Sequence, residues 1–337
     1  MTVRIFFAMI AASFAWNLPA KAEDDIFAAT KALGRGINLG NMLDAPSEGE
    51  WGLSLKEEFF PAIKKAGFDS VRLPVRWSAH TEDQAPFSID PEFLARVDWA
   101  LDQAAKAKLN VVLNVHHFNE MDANPAANEA KLRAIWKQLA SHYTDLPKTV
   151  YFELLNEPHD KLTEDLWNAS LAPLLKIVRE TNPSRPVIVG PGMWNGFRSL
   201  AKLKLPEDDK NLIVTFHYYE PFHFTHQGAE WSEGSAKWLG TKWTGSKEEL
   251  ATLRGDFETV SAWSRANNRP IYLGEFGSYS KADIDSRVCW TKAVADEAIG
   301  RGFAFAYWEF GSGFGAYDPA TSTWRKPLLD ALVPKTP

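Results

Sequence analysis

Two acidic residues sit where a folded chain can least ignore them. Glu157 comes near the end of Val150-Tyr-Phe-Glu-Leu-Leu-Asn-Glu-Pro158, and Glu275 near the end of Pro270-Ile-Tyr-Leu-Gly-Glu-Phe-Gly277. Each reads as following directly on a short apolar run with the character of a buried strand. A carboxylate there is costly unless it is hydrogen-bonded, paired or in use. The two can meet only if both strands lie in one sheet and run the same way. Carboxyl groups brought together like this can divide proton transfer and nucleophilic attack between them, which is what cleavage of a glycosidic bond requires.

The elements that would position them recur along the chain. Strand-like runs read as Gly36–Gly40, Ser70–Val75, Asn110–Val115, Val150–Leu155, Pro186–Gly190, Asn211–Phe216, Pro270–Gly274 and Phe303–Tyr307. Most are continuous apolar runs, as expected of parallel strands covered on both faces. Helical patterns lie between them. Ser54-Leu-Lys-Glu57 and Ser246-Lys-Glu-Glu249 read as capping boxes, Asp90-Pro91 as a cap with an N1 proline, Gly67 as a C-terminal stop, and residues 163–181 as a helix kinked at Pro173. Eight strands alternating with helices predict one α/β domain, a single (β/α)8 TIM barrel over residues 23–337. No Gly-rich phosphate loop follows the first strand, which argues against a dinucleotide-binding sheet. The long connection between Tyr219 and Ser246 carries His223, His226, Trp231, Trp238 and Trp243, and a loop of that length is expected to be functional.

The ends of the chain and its charge bound the setting. Arg4, the apolar stretch from Ile5 to Trp16 and Ala20-Lys21-Ala22 read as a secretory signal peptide over residues 1–22, cleaved after about Ala22, so a secreted or periplasmic protein is expected. The formal net charge is −6, with no basic block, which disfavours nucleic acid as a partner. No other stretch is apolar enough for a membrane span, so no membrane association is expected once the leader is removed. The single cysteine, Cys289, has no internal partner and reads as a small buried apolar residue of a helix. Fourteen Trp and 21 Phe give a high aromatic share, in part core, and aromatics in loops would offer flat faces to sugar rings.

At the C-terminal ends of barrel strands, catalytic groups converge on one rim. The polar residues there are Asn41, Arg72, His116-His117, Asn156-Glu157, His217-Tyr218-Tyr219, Glu275 and Trp308-Glu309. Leu155-Asn-Glu-Pro158, Gly274-Glu-Phe-Gly277, the paired histidines of the third strand and His217-x-Tyr219 together resemble the clan of (β/α)8 retaining glycosidases. Within that clan the chain resembles glycoside hydrolase family 5, the cellulase family, from about Gly34 to Leu332. Residues 36–52 and 217–231 are similar to a bacterial endo-β-1,4-glucanase subgroup, some members of which also cleave mannans.

The resemblance implies Glu157 as acid/base and Glu275 as nucleophile, with Arg72 and Tyr219 holding Glu275 ionised and His217 supporting the proton on Glu157. It also implies that Asn156 meets the sugar 2-hydroxyl, that His116 and His117 line the adjoining subsite, and that Trp308 forms a floor. Asn41, His226, Trp231 and Phe314 are further candidate sugar contacts. Glu153 reads as an interior group paired to a neighbour, and Glu309 as facing away. A metal hydrolase would want His-x-His with both imidazoles pointing inward, whereas His116 and His117 are adjacent and diverge. No cofactor or metal is therefore expected. A non-catalytic polysaccharide-binding protein would have no reason to keep both glutamates. The expected partner is a β-linked polysaccharide or oligosaccharide, acted on by a monomer. The expected activity is internal cleavage of cellulose-like, mixed-linkage or glucomannan chains, with mannanase or dual action as the alternative. No carbohydrate-binding segment is recognisable, so soluble or amorphous polymer is expected over crystalline cellulose.

Overall fold

The computed structural model describes residues 25–334, and the expected leader therefore lies outside the described residues. The eight expected strands form as β1 (Arg35–Asn38), β2 (Ser70–Leu73), β3 (Asn110–Asn114), β4 (Val150–Glu153), β5 (Val187–Val189), β6 (Leu212–Tyr218), β7 (Ile271–Phe276) and β8 (Ala304–Tyr307). All pair in parallel with their sequence neighbours, and β8 returns to β1 through Ile37 opposite Tyr307, so the sheet closes into a (β/α)8 barrel. A short two-stranded ribbon, Tyr317–Asp318 with Thr323–Trp324, follows β8.

The barrel interior is layered. Val112, Tyr151, Ile188, Ile213, Tyr272, Ala304 and Ala306 pack with Ile26 and Leu33 of the helix Ile26–Leu33, which stoppers the N-terminal end. Two residues further along β3, β4 and β6 come Asn114, Glu153 and Thr215, all buried, and Asn38 and Arg72 join them. Period-2 alternation keeps this second layer inside as well, so the layer beneath the rim is polar and must be satisfied internally. The remaining apolar faces of the strands form a continuous core with the surrounding helices.

The helix signals hold at most positions. Asp90 accepts from the Glu92 amide ahead of Pro91–Lys106, Ser246 and Glu249 form a reciprocal capping box for Lys247–Asn267, and Gly67 ends its helix at φ 102°. Pro173 lies inside the helix Glu164–Thr181. Three expectations fail. Ser54 caps nothing: the helix begins at Phe59 with Glu58 at its cap position, and the Leu55 amide donates to Glu48 instead of opening a helix. Cys289 is half-buried rather than buried. Tyr218 does not face the rim; it alternates outward and donates to Asp256 of the helical layer at 3.0 Å.

Candidate active site

Neither glutamate sits quite where the apolar runs suggested. β4 ends at Glu153, and Glu157 lies four residues beyond it in a left-handed conformation, φ 46°. Glu275 is inside β7 rather than past it. By strict alternation from inward-facing Tyr272, Glu275 would point outward. A register shift between Phe216 and His217 removes the conflict: Phe216 pairs with Leu273 but His217 pairs with Glu275, so Gly274 is bulged out of the pairing. Glycine is needed there, since a Cβ would lie 2.6 Å from the Thr215 hydroxyl and 3.0 Å from His217 Nε2. The bulge turns Glu275 into the barrel beside the strand that carries His217.

Arg72 organises the layer below. It is fully buried and donates to both oxygens of Glu153 at 2.7 Å, to Asn38 Oδ1 at 2.9 Å, to Asn156 Oδ1 at 2.7 Å and to Glu275 Oε1 at 2.6 Å. Glu153 is thus the paired interior group the sequence suggested. Asn38 passes the network to the backbone, donating to the carbonyls of Gly274 and Ala306. Burial works against the charged guanidinium, but the charges of Glu153 and Glu275 outweigh it and hold Arg72 firmly cationic.

The two glutamates have different company. Glu275 accepts from Arg72 and, on Oε2, from the Tyr219 hydroxyl at 2.8 Å. Burial pushes its carboxyl up, while His217 and Arg72 pull it down. Glu157 meets His217 Nδ1 at 2.6 Å and has no arginine of its own, and burial lifts it to about 7. Oxygens of the two carboxyls and a nitrogen of His217 all lie within 4.8 Å of one another. The ionised form of Glu275 has two strong donors, so of the two raised carboxyls Glu157 is the readier to hold a proton. His217 is brought down to about 4 by burial and is neutral. Burial, followed by the charge of Glu275, holds the Tyr219 phenol well above its ordinary value, so it remains a donor.

The other expected residues fall into three groups. His116 and Trp308 stack at 5.7 Å with planes 4° apart, and His116 Nε2 is 3.9 Å from Glu275, which makes a flat wall beside that carboxylate. The Trp308 ring lies against Gly40, where a Cβ would come within 2.7 Å. His117 turns away from His116, the rings meeting at 88°, toward Trp51 and Asp44. Phe314 is a buried hub touching Tyr219, His226, Trp231 and Tyr279. Trp231 stands 62% exposed at its edge. Asn41 reaches the rim in a left-handed turn, φ 61°, and its amide donates to Asp44.

Several contributors escaped the sequence reading. Asp44 is buried, holds the Asn41 and Met42 amides, and is raised to about 6 by burial. Glu309 is fully buried. It takes the amides of Gly311, Ser312 and Phe314, fixing the loop that carries Phe314. Asn195 lies 3.3 Å from His217 Nε2. Tyr279 donates to Glu230 at 2.6 Å, pinning the long loop after β6 to the loop after β7. Buried Gln227 ties that long loop to itself through Thr241 and Gly240.

Among the described residues, two groups of side chains could hold a metal ion by proximity, Asp44–His116–His117 and Glu157–His217–Glu275. In the first, Asp44 is already occupied by backbone donors, and His116 Nδ1 is engaged by Asn114 at 2.9 Å. In the second, both carboxylates are held by the partners described above.

The comparisons with known proteins agree with this geometry. The model of cellulase, glycosyl hydrolase family 5, matches residues 31–313. Endoglucanase H of Acetivibrio thermocellus is 38% identical over 314 residues, covering 91% of this chain and 33% of that protein. The chain spans about a third of the length of the first two curated relatives it matches. Two structures of Thermotoga maritima Cel5A, one in complex with cellobiose and one with mannotriose, are each 49% identical with a TM-score of 0.90. Each pairing covers 92% of this chain and 100% of the other. A barrel with one buried and one partly buried glutamate brought together at one rim, matched over most of its length by one family model, leaves a single assignment: the chain belongs to the cellulase family, glycosyl hydrolase family 5.

Proposed function

We propose that the protein is a retaining endo-β-1,4-glucanase in which Glu275 is the nucleophile and Glu157 the acid/base. The observation that carries this is the pair of carboxyls, with oxygens within 4.8 Å, one held by Arg72 and Tyr219 and the other raised to about 7. Retaining enzymes keep their carboxyls about 5–5.5 Å apart, too close for a water between them. In the first step a Glu275 oxygen bonds to the anomeric carbon, the glycosidic C–O bond breaks, and the departing oxygen takes the proton of Glu157. Esterification removes the charge on Glu275, which lowers the affinity of Glu157 for a proton. Glu157 then takes one from water, whose oxygen displaces Glu275. Asn156 accepts from Arg72 through its carbonyl, which aims its amide nitrogen toward the 2-hydroxyl of the sugar against Trp308.

Dual action on glucan and mannan is the second reading, and it is favoured by the 49%-identical relative described with both cellobiose and mannotriose. The two sugars differ in the orientation of the 2-hydroxyl, so His116, His117 and Asn156 would set the tolerance. The leader-like pattern of residues 1–22 supports a reading in which the protein is exported to the periplasm or beyond. Rates on carboxymethylcellulose, barley glucan, lichenan and galactomannan, with the anomer of the first product followed by NMR, test the proposal. Internal cleavage of the glucans with a β-anomeric first product is expected. An α-anomeric first product would refute the mechanism, and cleavage of mannan alone would refute the substrate.

A further inference from the structure

We propose that the stoppered, N-terminal end of the barrel carries a second carbohydrate site, one that holds a short stretch of the neutral β-linked glucan cut at the rim. The inference rests on glucan being the substrate. A cavity of about 690 Å³ lies there, lined by Phe27, Leu203, Leu205, Trp263, Asn267 and Asn268 among others. Phe27 belongs to the helix Ile26–Leu33 that closes this end, and Leu203 and Leu205 precede β6. Trp263, Asn267 and Asn268 come from the last turn and cap of Lys247–Asn267, just ahead of β7. Glu275 lies at the far end of β7, roughly 15 Å away at about 3.3 Å per residue. A chain held in this cavity is therefore outside the catalytic cleft.

The lining has the makeup of a sugar site. Phe27 is 44% exposed, and Trp263 is only partly covered by the core. Among the described residues neither ring meets another ring, so both are left to pack against the C–H face of a pyranose. Asn267 donates to the Trp263 carbonyl at 2.9 Å, which leaves its side-chain oxygen free, and the Asn268 amide has no partner among the described residues. Such amides both donate to and accept from hydroxyls. The charged groups of the lining cancel, Lys210 and Arg269 against Asp25 and Glu207. That balance favours an uncharged polyol over an anion.

The wall is built in advance of any ligand. Arg269 is buried and donates to the carbonyls of Pro206 and Asp209, while Arg179 grips the Asp209 carboxylate at 2.8 and 3.0 Å. The Lys204 amide donates to Asn168 at 2.8 Å. Three separate elements thus fix residues 204–209. Asn268 stands at φ 49°, a left-handed cap that asparagine tolerates. A preformed cavity loses little order on binding. A weak site suffices, because two contacts with one polymer raise the local concentration of chain at the cleft.

The test separates this cavity from the cleft. The cleft is filled with a 2-deoxy-2-fluoro-β-cellobiosyl group bonded to Glu275, confirmed by mass, and the protein is run in a native gel containing barley glucan. The labelled protein should still be retarded. Trp263→Ala, Ala266→Trp (which fills the cavity) and Asn268→Gly (which keeps the left-handed cap) should each weaken retardation at least about fivefold. The same variants should keep kcat/KM on cellotetraose within about twofold and lose about threefold in rate on dilute barley glucan. Ala266 and Asn268 are exposed, so those two variants carry the test if Trp263→Ala fails to fold. An unretarded labelled protein, or variants retarded like the parent, would overturn the second site. Equal losses on cellotetraose and barley glucan would overturn it as well, since the change would then act through the fold. Failure of the parent to cleave barley glucan strikes the substrate reading instead. Failure to attach the label strikes only the nucleophile assignment, and the variants' retardation without it still decides the site.

Discussion

The placement of one proton can be tested by pH and leaving group together. Burial lifts the Glu157 carboxyl from 4.5 to about 7, while Arg72 and Tyr219 bond the ionised form of Glu275. At 1.36 kcal/mol per unit, that lift is about 3 kcal/mol of preference for the protonated acid. With an apparent value near 7, roughly 99% of the acid is loaded at pH 5 and roughly 9% at pH 8; an ordinary glutamate would be roughly 0.3% loaded at pH 7. On cellotetraose, kcat/KM should hold steady from about pH 5 to 6.5 and fall tenfold per unit above about 7. On a cellobioside of a strongly acidic phenol no proton is needed in the first step, so its alkaline limb should flatten. The measurement is initial rates from pH 4 to 9 on both substrates. A limb near 4.5 on cellotetraose, or superimposable limbs for the two substrates, would refute the argument that burial loads Glu157.

The same lift has a stability consequence of definite sign. A carboxyl whose folded value is raised contributes stability that is complete below its ordinary value and lost as pH rises through about 7. Glu157→Gln should therefore gain on the parent protein by up to about 3 kcal/mol between pH 5 and pH 8, read by denaturant unfolding at each pH. Arg72→Met leaves Glu153 and Glu275 buried without their cation and should cost about 3–5 kcal/mol by the same assay. Arg72→Lys should recover stability better than activity, because one ammonium cannot bridge four partners. Gly274→Ala drives a methyl against Thr215 and His217, and should cost about 1–3 kcal/mol and lower kcat on cellotetraose disproportionately to the loss in melting temperature.

The barrel was legible because parallel strands covered on both faces must be apolar throughout, and eight such runs alternate with helices. The glutamates were legible because carboxylates have no bland reason to sit beside those runs. What the sequence hid were departures from regular backbone. Glu275 faces inward only because Gly274 bulges, and no pattern in Leu-Gly-Glu-Phe distinguishes a bulge from a turn. The turn after β5 runs through Met193, Trp194 and Asn195 at φ 54°, 58° and 53°, and no glycine at those three positions signals it. Asp44, Asn38 and Glu309 act by collecting amides or carbonyls distant in sequence or across a loop, and a buried acid satisfied by backbone looks in sequence like any surface acid.

The Arg72 network divides the barrel unevenly. Arg72, Glu153, Asn156 and Glu157 come from β1–β4 and the segments that follow them, while His217, Tyr219 and Glu275 come from β5–β8. A chain cut between β4 and β5 would leave the first fragment with a guanidinium only partly matched and the second with a nucleophile lacking its counter-charge. Neither fragment could turn over alone. Rejoined in solution, they would regain activity only as the closed sheet reforms, which makes hydrolysis of a chromogenic glycoside a reporter for complementation of half-barrels.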